Sequence, residues 1–172
     1  MKKILLLSDT HNYLDENILR HAGEADEIWH AGDIGNIAVT DKLASIAKVR
    51  AVYGNADDHI VRMTHPYQQE FVVEGLKVFM IHIGGYPTRY TPEVKKALQE
   101  SLPGLFICGH SHILKVMRDP SLNLLHMNPG AAGIQGFHKV RTMVRFKVAN
   151  GKIIEPEVIE LGQKGSLPQT VG

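Results

Sequence analysis

Apolar residues along this chain gather in five short runs, 4–7, 27–31, 49–53, 78–81 and 105–108, each followed within a few residues by a polar or glycine-containing cluster. The runs are of strand length and rich in Val, Ile and Leu, the pattern of strands buried in an α/β sheet. Between them, residues 15–25 carry Ile18, Leu19 and Ala22 at helical spacing, and residues 40–47 repeat the pattern with Leu43, Ile46 and Ala47 behind Thr40, a residue suited to cap a helix. Two strand–helix–strand units predict a right-handed parallel arrangement for the first half. Thr91-Pro92-Glu93 predicts another helix start, with Pro at the first helical position and Val94, Ala97 and Leu98 on the apolar face.

The second half changes character. Residues 115–118 and 122–126 flank Asp119-Pro120-Ser121, and residues 141–148 and 152–159 flank Ala149-Asn150-Gly151. Asn-Gly between alternating segments is a strong hairpin signal, so these segments predict antiparallel strands forming a second, antiparallel sheet. Two sheets face to face with helices outside make a four-layer αββα sandwich. Residues 162–172 hold Gly, Ser, Pro and Gln without periodicity, which predicts a flexible tail over 163–172 or an oligomer arm.

With 172 residues the chain is expected to be one domain with a sizeable core. A net charge of +1 offers no basic stripe for nucleic acid, and the small cluster Lys139, Arg141 and Arg145 does not change that. No apolar run reaches the 18 residues or so that would cross a bilayer. Asp9 and His11 cut the amino-terminal apolar stretch too short for a secretory signal, so a cytoplasmic location is expected. Cys108, the single cysteine, sits inside an apolar run and is expected to be a buried, inert thiol.

The clusters at the ends of the runs change the picture most. In order they are Asp9-Thr10-His11, Gly32-Asp33, Gly54-Asn55, His82 and Gly109-His110-Ser111-His112. They supply three oxygen side chains and four imidazoles, the ligand count that two divalent metals sharing one carboxylate require. Open α/β sheets gather their sites at the carboxyl ends of strands, so segments far apart in sequence can converge there.

This ordered series resembles the calcineurin-like metallophosphoesterases, and Ser8-Asp9-Thr10-His11 so near the amino terminus is similar to their small bacterial and archaeal phosphodiesterase branch. His30-Ala31-Gly32-Asp33 and Asn128-Pro129-Gly130 look like the usual surroundings of that site. The resemblance implies an α/β fold, a four-layer αββα sandwich of two mixed β-sheets flanked by helices. It implies that Asp9, His11 and His112 hold one metal, that Asn55, His82 and His110 hold the other, and that Asp33 bridges both. Asp33, Asn55 and His110 are then the catalytic residues. The implied chemistry is in-line attack on phosphorus by a hydroxide held between the metals, without a covalent intermediate. Two divalent transition-metal ions drawn from Mn, Fe, Zn, Ni or Co suit this mixed imidazole and oxygen set. The substrate is expected to be a small phosphate ester, a diester in preference to a monoester.

The chain departs from the family pattern in two places. Many relatives carry His after the Asn, as the acid for the leaving group, where this chain has Ala56. A positioned acid is worth about 10²–10⁴-fold, so substrates with poor leaving groups should suffer most. Where a second His often follows the ligand His, this chain reads His82-Ile83-Gly84-Gly85. In the Gly/Pro-rich segment that follows, Arg89 is a candidate for clasping a phosphate. Asp57 is a candidate for orienting a ligand from behind, with a solvated turn at Asp57-Asp58 as the alternative. Six further histidines lie outside the series. Among them His30 is expected to be structural, and His126 and His138, which flank Asn128-Pro129-Gly130, to lie at the surface, with an approach to the site as the alternative. Against the enzyme reading stands a scaffold role, since the same fold serves as a retromer subunit without a fully competent site; burying seven polar groups without metals would be costly, which favours the enzyme.

Overall fold

A computed structural model describes residues 1–165, ordering the chain as β1 (Lys2–Leu7), α1 (Glu16–Ala22), β2 (Glu27–His30), α2 (Ala38–Ala44), β3 (Lys48–Ala51) and α3 (His59–Thr64). There follow β4 (Gln68–Val73), β5 (Leu76–Ile81), the short pair β6 (Gly85–Tyr86) and β7 (Arg89–Tyr90), and α4 (Pro92–Ser101). The chain continues through β8 (Leu105–Ile107), β9 (Leu114–Asp119), β10 (Leu124–Pro129), β11 (Val140–Ala149) and β12 (Lys152–Gln163).

Two five-stranded mixed sheets result, in the orders β12-β11-β1-β2-β3 and β4-β5-β8-β10-β9. β1, β2 and β3 run parallel, as the alternation of strand and helix requires. The Asn150-Gly151 turn has φ of 51° and 72°, the left-handed pair that suits a tight hairpin, and joins β11 to β12. This hairpin does not build the second sheet, as the local pattern suggests, but extends the first by pairing β11 with β1. The second sheet is mixed, not antiparallel, because β8 lies parallel to both β5 and β10.

The sheets close on a core of Ile4, Leu6, Trp29, Val78, Met80, Ile107, Met127, Val144 and Phe146. Trp29 also satisfies its indole N–H on Glu27 Oε2, 3.0 Å away, as a buried indole must. A second cluster, with Ile18, Leu43 and Val61, seats α1, α2 and α3 on the outside of the first sheet. A third, with Val94, Leu98, Phe79 and Phe106, seats α4 on the outside of the second. This is the αββα layering the resemblance implies.

Asp15 caps α1 and Thr91 caps α4, each accepting from the N–H three residues on. Thr40 does not cap α2. The helix begins earlier, at Ala38, and Thr40 is buried within it, donating to Ile37 O and meeting His65 Nε2 at 2.9 Å. Gly162 and Gln163, expected in the tail, belong to β12, and the expectation for 166–172 lies outside the described residues. Among the described residues no helix is long and apolar enough to cross a membrane.

Candidate metal centre

All seven residues picked out at strand ends converge where the two sheets meet. The loops after β1, β2 and β3 deliver Asp9, His11, Asp33 and Asn55, while the ends of β5 and β8 deliver His82, His110 and His112. Asp9, His11 and His112 form one group with ligand atoms within 4.8 Å of one another, and Asp33, His82 and His110 form another. Each group therefore draws on both sheets. Asn55 joins the second group through Oδ1, 2.9 Å from His110 Nδ1.

Asp33 stands between the groups: its Oδ2 is 3.6 Å from His11 Nε2 and 3.2 Å from His82 Nε2. Its other oxygen accepts from Ala56 N–H at 2.9 Å. Asp9 Oδ1 faces His112 Nε2 at 3.2 Å and His82 Nε2 at 3.8 Å. Asp9 Oδ2 accepts from the Ser8 hydroxyl at 2.7 Å and from His110 N–H at 3.1 Å. Asp9, Asp33 and His82 form a buried floor, and Asn55 and His110 an exposed rim.

The backbone pays conformational strain for this convergence. Asp9, His11, Asp33, His110 and His112 all have left-handed backbones, with φ between 42° and 68°. Such conformations cost about 1–3 kcal/mol each in non-glycine residues and cluster where function requires them. Gly54 has no such φ, yet a Cβ there would stand 2.1 Å from Asp33 Oδ1, so only glycine lets the β3 loop approach this carboxylate.

Residues around the cluster complete it. His30, expected to be structural, is buried; its Nδ1 accepts from Gly32 N–H at 3.1 Å and its Nε2 meets Thr10 Oγ1 at 3.0 Å. Since Thr10 donates its hydroxyl proton to Ile34 O, the His30 proton sits on Nε2, and burial pushes this ring's pKa down to about 3. Asn128 ties the Gly109 loop in place by donating to Gly109 O and Ser111 Oγ. Asp57 is no solvated turn. It is buried and accepts from Gly54 N–H, Gly35 N–H and Ile34 N–H, while Asp58 caps α3.

Other expectations fare differently. Cys108 is buried, and burial pushes its thiol up to about 12, as an inert thiol requires. His126 is not at the surface. Its strand, β10, lies between β8 and β9, and the ring is fully buried against Tyr86, Tyr90 and Phe106. His138 is half-buried and packs on His112, the approach to the site that its position near Asn128-Pro129-Gly130 left as the alternative. Arg141 is buried on Asp15 and Arg145 pairs with Glu157. Arg89 is exposed on β7, opposite Tyr86.

The donor set fits divalent cations. His82 Nε2 and Asp9 Oδ1 are both buried without a hydrogen-bond partner, an arrangement that is costly unless a cation satisfies them. His82 Nδ1–H donates to Ala31 O at 2.7 Å, which leaves Nε2 as the nitrogen turned toward both carboxylates.

These groups also predict how stability depends on pH. Burial opposes charge on Asp33, but His82, Ala56 N–H and His11 outweigh it and hold the pKa at about 2, below the ordinary 3.8. Burial likewise opposes charge on His82, yet Asp33, Asp9 and the Ala31 carbonyl raise its pKa above 6.5. The depressed Asp33 contributes about 2 kcal/mol, present above pH 3.8 and lost as pH falls toward 2. The raised His82 contributes stability present below pH 6.5 and lost as pH rises through its folded pKa. His30 and His126, held neutral at about 3 and 4, each remove stability as pH falls below 6.5 and together outweigh His82, so chelator-treated protein should melt highest near pH 6.5 and lose stability on both sides. Cations bind only deprotonated His82, so loading them should move that optimum upward. Thermal melts from about pH 2 to 9, with and without chelator, check both shifts.

Residues 1–151 match the model of the calcineurin-like phosphoesterase superfamily domain. A probable metallophosphoesterase of Methanothermobacter thermautotrophicus is 27% identical over 164 residues, covering 91% of each chain. A structure described as a novel archaeal phosphodiesterase superposes with a TM-score of 0.71 at 22% identity, covering 92% of this chain and 99% of its own. The zinc complex of Vps29 from Entamoeba histolytica superposes with a TM-score of 0.69 at 16% identity, covering 92% and 98%. At those identities the two structures share the fold.

Proposed function

This chain belongs to the calcineurin-like phosphoesterase superfamily, and from that premise we propose that it is a two-metal hydrolase of phosphodiesters. One observation carries the reading: two three-residue ligand groups lie side by side with a single oxygen, Asp33 Oδ2, facing both. Asp9, His11 and His112 would hold one cation, Asn55, His82 and His110 the other, and Asp33 both. When bound, a pair of divalent cations lowers the pKa of water toward neutrality and neutralises charge on phosphoryl oxygens.

The chain's own residues set the rest of the chemistry. Ser8 and the His110 N–H hold Asp9, and the Ala56 N–H holds Asp33, so both carboxylates are aimed before substrate arrives. Asn55 and His110 line the open rim, where a phosphoryl group enters. Arg89, exposed on β7 in the neighbouring loop, is the candidate cation for a phosphoryl oxygen. Ala56 is exposed beside Asn55 and can donate no proton, so the leaving oxygen departs without a side-chain acid there. Substrates with acidic leaving groups are the ones such a site handles well.

The preference for diesters is supported by the activity described for the archaeal structural neighbour. Chelator-stripped protein resupplied with Mn²⁺, Ni²⁺ or Zn²⁺ should hydrolyse an aryl phosphodiester faster than the matching monoester, and an alkyl diester far more slowly. Faster monoester turnover would reverse the substrate assignment. Folded protein that hydrolyses neither with any of these metals would instead have a binding role, as a scaffold of the same fold.

A further inference from the structure

Residues 130–139 fold back over the first ligand loop, with Ala132 N–H donating to Ser8 O at 2.9 Å and Gly133 N–H to Asp9 O at 3.1 Å. This segment brings His138 edge-on to His112, with ring centroids 5.2 Å apart and planes at 80°. His138 Nε2 lies 2.8 Å from the Gly133 carbonyl. A carbonyl only accepts, so the proton of the neutral ring is on Nε2 and Nδ1 carries a lone pair. Its Nδ1 is buried and has no hydrogen-bond partner.

His112 presents the complementary need. Its Nε2 faces Asp9 Oδ1 at 3.2 Å, so a cation in this group is met by Nε2 and the remaining proton must sit on Nδ1. Both Nδ1 atoms border the same space: a Cβ on Gly136 would stand 2.2 Å from His112 Nδ1 and 3.3 Å from His138 Nδ1. Gly136, at φ 122° and without a side chain, keeps that space open. A donor and an orphaned acceptor thus adjoin one gap.

We propose that His138 is a positioning residue for His112, its Nδ1 receiving the His112 Nδ1–H across the gap above Gly136, directly or through one water. A relay then runs from the Gly133 carbonyl through His138 to His112, locking the tautomer that presents Nε2 to the group formed with Asp9 and His11. Partners of this kind hold ligand imidazoles in orientation, and losing one costs about 10–100-fold in metal affinity. The inference rests on the metal-centre reading above.

Calorimetric titration of Zn²⁺ into chelator-stripped wild type, His138→Phe and His138→Gln tests it. Phe keeps the ring packing and removes the acceptor, whereas Gln restores an acceptor oxygen. His138→Phe should lose about 10–100-fold in affinity at one of the two sites and little at the other, with His138→Gln closer to wild type. In the zinc-loaded wild type, ¹⁵N NMR of the histidines should show a slowly exchanging Nδ1 proton on His112 that disappears in His138→Phe. Wild-type affinity at both sites in His138→Phe, with the His112 proton unchanged, overturns the proposal alone. A wild type that binds no zinc overturns the metal-centre reading, and this proposal with it.

Discussion

Asp33→Ala will lower metal-dependent phosphodiester hydrolysis by about 10³-fold or more and release both cations. The side chain removed is the one whose Oδ2 faces His11 in one ligand group and His82 in the other, so neither group keeps its charge complement. Lewis-acid stabilisation of phosphoryl charge is worth several kcal/mol, and each 1.36 kcal/mol is tenfold in rate, which gives the figure of about 10³. Asp33→Asn separates charge from shape: it can still accept from the Ala56 N–H that holds Oδ1, yet lacks the negative charge. It should lose most of the activity as well. Metal content and diester turnover of both variants check the result, and Asp33→Ala protein that keeps two cations would remove Asp33 from the shared position.

Asp57→Ala should produce the largest loss of stability among changes that leave the seven cluster residues intact. The Asp57 carboxylate accepts from Gly54 N–H at 2.8 Å, Gly35 N–H at 2.8 Å and Ile34 N–H at 3.2 Å, with 5% of the residue exposed. It thereby ties the loop after β2, which carries Asp33, to the loop after β3, which carries Asn55. Removing it strands three backbone donors, each costing about 1–3 kcal/mol when buried and unpaired. Partial relaxation brings the expected total to about 3–5 kcal/mol, or a melting point lower by roughly 10 °C for a chain of this size. Melts in chelator measure this directly. Metal affinity should fall too, because Asp33 and Asn55 lose their common support. A melting point within about 2 °C of wild type would mean that water satisfies those donors equally well.

The cluster was readable because each member ends an apolar run, and strand ends are where an α/β sheet exposes side chains to a common cleft. Asp9, Asp33 and His82 need no tertiary knowledge to be noticed. The supporting residues do. Nothing local to Asp57 distinguishes a loop clamp from a solvated turn, since its three partners lie on two loops and two of them are more than 20 residues away. His138 reaches His112 only because residues 130–139 fold back over Asp9, a path that follows from Ala132 and Gly133 bonding to the first ligand loop. His126 misleads for another reason: its strand lies inside a sheet covered on both faces, where a histidine can be buried among Tyr86, Tyr90 and Phe106. The hairpins were legible as hairpins, but which sheet each one joins is decided by long-range pairing. β11 could join the first sheet only by finding β1, some 140 residues away, as Lys3 against Lys147 shows.

Each ligand group takes members from both sheets: Asp9 and His11 from the first with His112 from the second, and Asp33 from the first with His82 and His110 from the second. Two occupied sites would therefore rivet the sandwich along one edge, closing loops of about 50 to 100 residues as cross-links do. At a free concentration 100 times its dissociation constant, a bound ion adds about 2.7 kcal/mol to the folded state. That addition is shared by the sheets jointly, so neither can open while the other stays loaded. Cooperativity between the halves of the molecule then becomes a property of the solution's metal content as well as of the chain.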